Sequence, residues 1–118
     1  MSEEKTTATQ LPEPKGWKIL CAVPEVEEKY ESGILKADSS VRIEEHSTVV
    51  LFVIKLGDMA YKDAEKFPTG AWCKEGDFVV TRAYAGTRIK IHGREFRLIN
   101  DDAVEGTVDD PRGISRAG

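Results

Sequence analysis

The 118-residue sequence has no long apolar run. Its longest, residues 49–54, covers six positions, and a membrane-spanning helix needs about 18 or more. A secretory leader is not expected, because residues 1–10 are polar and carry Glu3, Glu4 and Lys5 where an apolar region would sit. Excess positive charge is missing too: 17 basic residues stand against 21 acidic ones, a net −4. Binding a phosphate backbone wants the opposite sign, so a nucleic-acid partner is not expected. Two cysteines far apart make no disulfide framework and suit a reducing cytoplasm. The length admits one ordinary domain and not two. At 40% hydrophobic and 32% charged residues, the composition is that of a soluble globular protein.

Catalytic and metal-binding patterns are equally scarce. The four candidate zinc ligands are Cys21, Cys73, His46 and His92, and none lies within four positions of another. Cys21 reads as core and His92 as a turn residue. Glycines 57, 70, 76, 86 and 93 stand apart and read as turns, so there is no phosphate-binding loop. Ser32, Ser39, Ser40 and Ser47 lie in a loop that cannot hold a base to hydrogen-bond accuracy. The acidic cluster at 25–28 reads as a solvated loop. Trp17 and Trp72 are better explained by packing than by stacking on bases, given the charge. No enzyme, cofactor or metal site is expected.

What the sequence does hold is strand signal. Residues 1–15 have little apolar content and include Pro12 and Pro14, and residues 109–118 hold Asp-Asp-Pro-Arg-Gly and small polar residues. Both read as flexible tails, leaving 16–108 for the fold. Trp17, Ile19, Cys21 and Val23 alternate with Lys18, Leu20 and Ala22, the period of a strand with one buried face. The β-branched and aromatic run at 49–54 suits a strand buried on both faces. Glu75-Gly76-Asp77 reads as a turn opening a strand at Phe78-Val79-Val80.

The clearest piece is 87–99. A two-residue turn at His92-Gly93 needs positive φ, which glycine supplies freely and histidine tolerates better than most. In that register Ile89 faces Phe96 on the inner side and Lys90 faces Glu95 on the outer side. The second pair is worth about 0.2–1 kcal/mol, and Arg88 opposite Arg97 is mildly adverse. A short last strand is expected over 103–108. The helix-compatible stretch 61–67 is cut by Pro68 and amounts to a turn or two. Short strands with hardly any helix predict an all-β fold, a small barrel or sandwich.

One segment departs from that pattern. Residues 24–47 hold seven Asp and Glu and few large apolar side chains, and loops beyond about 15 residues are usually functional or mobile. Within it sits the apolar pair Ile34-Leu35, introduced by Ser32-Gly33. Two readings stand open: two side chains tucked onto the barrel, or a sticky tip on a tether that docks in another protein's apolar groove.

Together these residues resemble the GroES-type co-chaperonins, the chaperonin-10 family. Lys74-Glu75-Gly76-Asp77-Phe78-Val79-Val80 is similar to the family's lysine-x-Gly-Asp strand. Tyr84-Ala85-Gly86-Thr87 is similar to its Tyr-x-Gly turn, and 89–99 to its hairpin. Asp101-Asp102-Ala103-Val104 resembles its closing Asp-Asp-aliphatic strand. Glu31-Ser32-Gly33-Ile34-Leu35 looks like its mobile-loop motif. The resemblance covers about 16–110. Two departures stand out: the third aliphatic of the loop motif is Lys36, and the compact roof hairpin is replaced by 57–73, with Tyr61, Phe67, Pro68 and Trp72. Residues 57–73 and the Asp109-Asp110-Pro111-Arg112-Gly113 tail look more like phage-encoded variants than bacterial housekeeping ones.

The resemblance implies a GroES-like β-barrel that assembles into a seven-membered ring and caps a GroEL-type chaperonin around a client protein. It places Gly33, Ile34 and Leu35 at the chaperonin. It places Trp17 and Ile19 of one subunit's first strand, and Ala103 and Val104 of its last, at the subunit interface, both strands being edges. The implied location is cytoplasmic, in the host if the gene is viral. The alternative is a non-catalytic barrel of the same fold that binds another partner, such as a capsid or regulatory protein, through 57–73.

Overall fold

The computed structural model describes residues 10–24, 48–114, 116 and 117. They form a small all-β barrel built from one antiparallel sheet of six strands: β1 (Lys18–Ala22), β2 (Val50–Leu56), β3 (Phe78–Val80), β4 (Thr87–Ile91), β5 (Arg94–Asn100) and β6 (Gly106–Val108). The spatial order is β4-β5-β1-β2-β3-β6. Among the described residues no helix is long and apolar enough to cross a membrane.

The hairpin register is the one that the alternation and the His92-Gly93 turn predict: Arg88 opposite Arg97, Ile89 opposite Phe96, Lys90 opposite Glu95. His92 has φ 50° and Gly93 φ 84°, the left-handed pair that a two-residue hairpin turn requires. The short 61–67 stretch also behaves as expected. It makes one closed turn, Phe67 N–H donating to the Asp63 carbonyl at 2.8 Å, with the Asp63 carboxylate accepting from the amide of Glu65.

The faces are assigned differently from expectation. Ile19, Cys21, Leu51, Val53, Val79 and Ile99 form the main core with Val104, and Ile99 shares its face of β5 with Arg97 and Glu95, not with Phe96. Phe96 and Leu20 are nevertheless buried. Residues 10–15 lie along that second face, where Pro14 is buried. Glu13 pairs with Lys55 at 2.6 Å, and Lys55 stands opposite Leu20. Gln10 Oε1 bonds His92 Nε2 at 2.8 Å. The stretch expected as the end of a free tail is thus packed on the sheet, because a strand pair with two apolar faces needs cover on both.

Three further expectations change. The 49–54 run is not equally buried on both faces: β2 buries Leu51 and Val53 fully but leaves Phe52 and Ile54 half-buried, with the Phe52 ring tilted against that of its cross-strand partner Phe78, centroids 5.1 Å apart. The expected strand over 103–108 is divided. Asp101–Ala103 forms a single 3-10 turn, after which Val104 drops into the core and β6 pairs with β3. Finally, β1 is no edge. It pairs with β2 on one side and β5 on the other, so the sheet ends at β4 and β6.

Candidate functional site

Antiparallel pairing fixes where the acidic 24–47 segment is rooted. Ala22, at the end of β1, stands opposite Phe52 of β2, so the chain leaves and re-enters the sheet on neighbouring strands, which run about 4.8 Å apart. Val23 is pinned beyond the end of β1 by its N–H, which donates to the Glu95 carbonyl at 3.1 Å. Gly33, Ile34 and Leu35, the residues assigned to docking, lie outside the described residues. Their mount does not: it is the β1–β2 pair in the middle of the sheet.

The same end carries a buried charge cluster that sequence reading missed. Arg97 has no exposed surface. Its Nε donates to Glu95 Oε2 at 3.0 Å and its Nη1 to the Ala83 carbonyl at 2.6 Å. The same Glu95 oxygen accepts from Arg88 Nε at 2.9 Å, which turns the adverse Arg88–Arg97 juxtaposition into a bridged triad. Burial pushes the Glu95 carboxyl up, but the hydrogen bonds and charges of Arg88 and Arg97 outweigh it and hold the group below its ordinary 4.5. Flanked by Phe96 and Leu98, Arg97 reads in sequence as an outward residue. Only its parity with Ile99 hints otherwise.

At the opposite end, residues 57–73 fold over the core rather than standing off it. Phe67 and Tyr61 are buried and meet edge to face with centroids 4.8 Å apart. Trp72, 43% exposed, packs edge-on against Phe67 at 4.8 Å. Tyr61 takes φ 61°, costly for a residue with a side chain. It is tied twice to buried Asp101: its N–H donates to Asp101 Oδ2 at 3.0 Å and its hydroxyl to the Asp101 carbonyl at 2.8 Å. The hydroxyl also lies 3.6 Å from Cys73 Sγ. Burial pushes the Tyr61 phenol and the Cys73 thiol up, and it raises Cys21 to about 12. These groups sit protonated at neutral pH.

Of the four residues assigned to the subunit interface, Trp17 is 47% exposed, while Ile19 at 0% and Val104 at 5% face this subunit's own core. Ala103 is half-buried in the turn ahead of β6. Trp17 is joined to that turn, its carbonyl accepting from the Asp101 amide at 3.1 Å. The structure therefore brings the entry to β1 and the approach to β6 side by side. Among the described residues no group of three or more His, Cys, Asp and Glu gathers as a metal site would. Cys21 and Cys73 are both buried.

Comparison with known proteins bears on the whole barrel. The family model for the chaperonin 10 Kd subunit matches residues 13–108. A co-chaperonin GroES of Caldicellulosiruptor saccharolyticus is 36% identical over 97 residues, which span 82% of this chain and 96% of the relative. One from Rubrobacter xylanophilus is 30% identical over the same shares. The mitochondrial 10 kDa chaperonin of Arabidopsis thaliana is 35% identical over 81 residues, 68% of this chain and 76% of that protein.

Proposed function

This chain belongs to the chaperonin 10 Kd subunit family, and on that premise we propose that it assembles into a seven-membered ring and caps a GroEL-type chaperonin. The ring closes the chamber in which a client protein folds. The observation that carries the reading is the family match over 13–108 around a long segment rooted on two adjacent central strands. In this reading Gly33, Ile34 and Leu35 dock in the chaperonin. Trp17 and Ala103 meet the neighbouring subunit, with Ile19 and Val104 backing them from the core. The protein performs no catalysis of its own. It works in the cytoplasm, that of the host if the gene is viral, with no nucleic-acid or membrane partner.

Free energy explains the use of a ring. Burying Ile34 and Leu35 returns about 1.5–3 kcal/mol apiece, and ordering an acidic segment on docking takes part of that back. One segment binds feebly. Several on one platform act at high effective concentration, so the lid holds firmly and still releases. An ATP cycle in the larger partner drives the release. Lys36, standing where the family has a third aliphatic, weakens each docking contact or shifts the partner that is preferred.

The test is the double variant Ile34→Ser, Leu35→Ser. Sedimentation with a GroEL-type chaperonin and nucleotide should show the wild type co-migrating and the variant left behind as an intact ring. Undiminished binding by the variant would count against this docking role. A wild type that ignores the chaperonin would favour a barrel that binds another partner through residues 57–73.

A further inference from the structure

Residues 57–73 have no role in the ring-and-lid reading, yet several hydrogen bonds and an ion pair tie them to the rest of the described barrel. Their bonds do not spread over the barrel. They converge on two places. The first is the entry to β1: Gly57 N–H donates to the Lys18 carbonyl at 2.8 Å and Met59 N–H to the Gly16 carbonyl at 3.0 Å. In return Gly16 N–H donates to Asp58 Oδ1 at 3.1 Å. The second is the exit from β5: Tyr61 holds Asp101 through both its amide and its hydroxyl, and Lys66 Nζ pairs with Asp102 at 2.6 Å. The two places are joined to each other by the Asp101 amide on the Trp17 carbonyl and by Lys18 Nζ on Asn100 Oδ1 at 2.8 Å.

Downstream of the second anchor the chain is held by Val104 in the core and by the Glu105 amide on the Val80 carbonyl at 2.8 Å. Asp101 begins the crossover that ends in β6, a strand of three residues at the end of the sheet. So short a strand cannot fix its own position through the ladder with β3 alone. Its placement depends on those two contacts and on where the crossover starts, which is the point that Tyr61 holds. Tyr61 keeps a backbone conformation that its own side chain disfavours, which persists only when the surroundings over-determine it. A surface loop with no task beyond covering apolar side chains needs neither the strain nor the paired bonds.

We propose that residues 57–73 are a clasp that holds the entry to β1 and the crossover to β6 in the geometry in which one copy of this chain meets the next, with Tyr61 and Lys66 as positioning residues. The inference rests on the ring reading and deepens it. The clasp acts on ring closure, from the end of the sheet away from the 24–47 segment. It therefore sets the subunit concentration at which rings form and leaves the docking contact of a formed ring unchanged.

The experiment compares full-length wild type, Tyr61→Phe, Lys66→Gln and Phe96→Leu, measuring thermal unfolding and, by native mass and sedimentation over a dilution series, the concentration at half assembly. Phe96 lies on the other sheet face, outside the core cluster that holds Tyr61 and Phe67, so its variant reports plain loss of stability. Tyr61→Phe is expected to raise the half-assembly concentration about tenfold, the size of one lost buried hydrogen bond. Lys66→Gln should raise it less, and Phe96→Leu should lower the melting temperature without moving it. Rings that do form should bind chaperonin as the wild type does. If Tyr61→Phe does not fold, Lys66→Gln decides, since it cuts only an exposed pair. Equal half-assembly concentrations for wild type and the clasp variants, or an equal shift in Phe96→Leu, would overturn the clasp alone. A wild type that stays a single subunit at every concentration would overturn both it and the ring.

Discussion

Glu95 Oε2 lies 3.0 Å from Nε of Arg97, a guanidinium with no exposed surface. This pair explains how an arginine occupies a core-facing position of β5 between Cys21 of β1 and Arg88 of β4. The carboxylate is shared, since Arg88 reaches the same oxygen from the half-exposed side. Arg97 Nη2 has no partner among the described residues, so the cluster holds its buried charge with little to spare.

Glu95→Gln should therefore destabilise the protein by about 3–5 kcal/mol, because it strands a buried cation. Arg88→Gln leaves the Glu95–Arg97 bond in place and should cost about 1 kcal/mol or less. Urea denaturation of the two variants checks the ordering, and similar losses would mean that the triad acts as a surface network.

The same carboxylate sets a pH signature. Its folded value lies below the ordinary 4.5 despite burial, through the two arginines, so its contribution is fully present above the unfolded value. It is lost as pH falls below about 4.5 through the folded value. Stability of the wild type should fall over that range. In Glu95→Gln the decline should be visibly shallower, as read from unfolding midpoints in acetate and formate buffers.

Gly86 has φ 78°, and a methyl there would strike the Leu98 carbonyl oxygen and lie 2.7 Å from Ile99 Cγ2. Gly93 has φ 84° with nothing within 4 Å. Gly93→Ala should cost only the left-handed penalty of about 1–2 kcal/mol. Gly86→Ala adds a clash with backbone and should cost clearly more. Melting temperatures of the two, measured side by side, separate strain from crowding.

Burial raises the Cys21 thiol to about 12, leaving only about one part in ten thousand as thiolate at pH 8. Native protein should resist a thiol-specific disulfide reagent at Cys21 until it unfolds. Rapid labelling of Cys21 in the folded chain would show that the core opens on the same timescale.

Legibility followed the range of the interactions. The β4–β5 hairpin could be read register and all, because Ile89, Phe96 and the His92-Gly93 turn are neighbours in sequence and the turn's φ values leave one pairing. The single turn at Asp63 and the strand after Asp77 were legible for the same reason. Gly33, Ile34 and Leu35, proposed to dock, were singled out by composition and family likeness, and they fall outside the described residues. The bonds that join Tyr61 to Asp101 had no local signal, since the two lie 40 positions apart, and the burial of Arg97 had only its parity with Ile99.

By itself, then, the sequence determined the all-β class, most strand positions, the tight turns and the family, since each depends on residues a few positions apart or on motif order. Tertiary structure alone decided that β1 lies inside the sheet, that residues 10–15 cover its second face, and that Arg97 is buried in β5 alongside Phe96 and Ile99. An alternating strand records two faces without saying which one meets the core. That choice is made by segments far away in the chain, when they find their places over it.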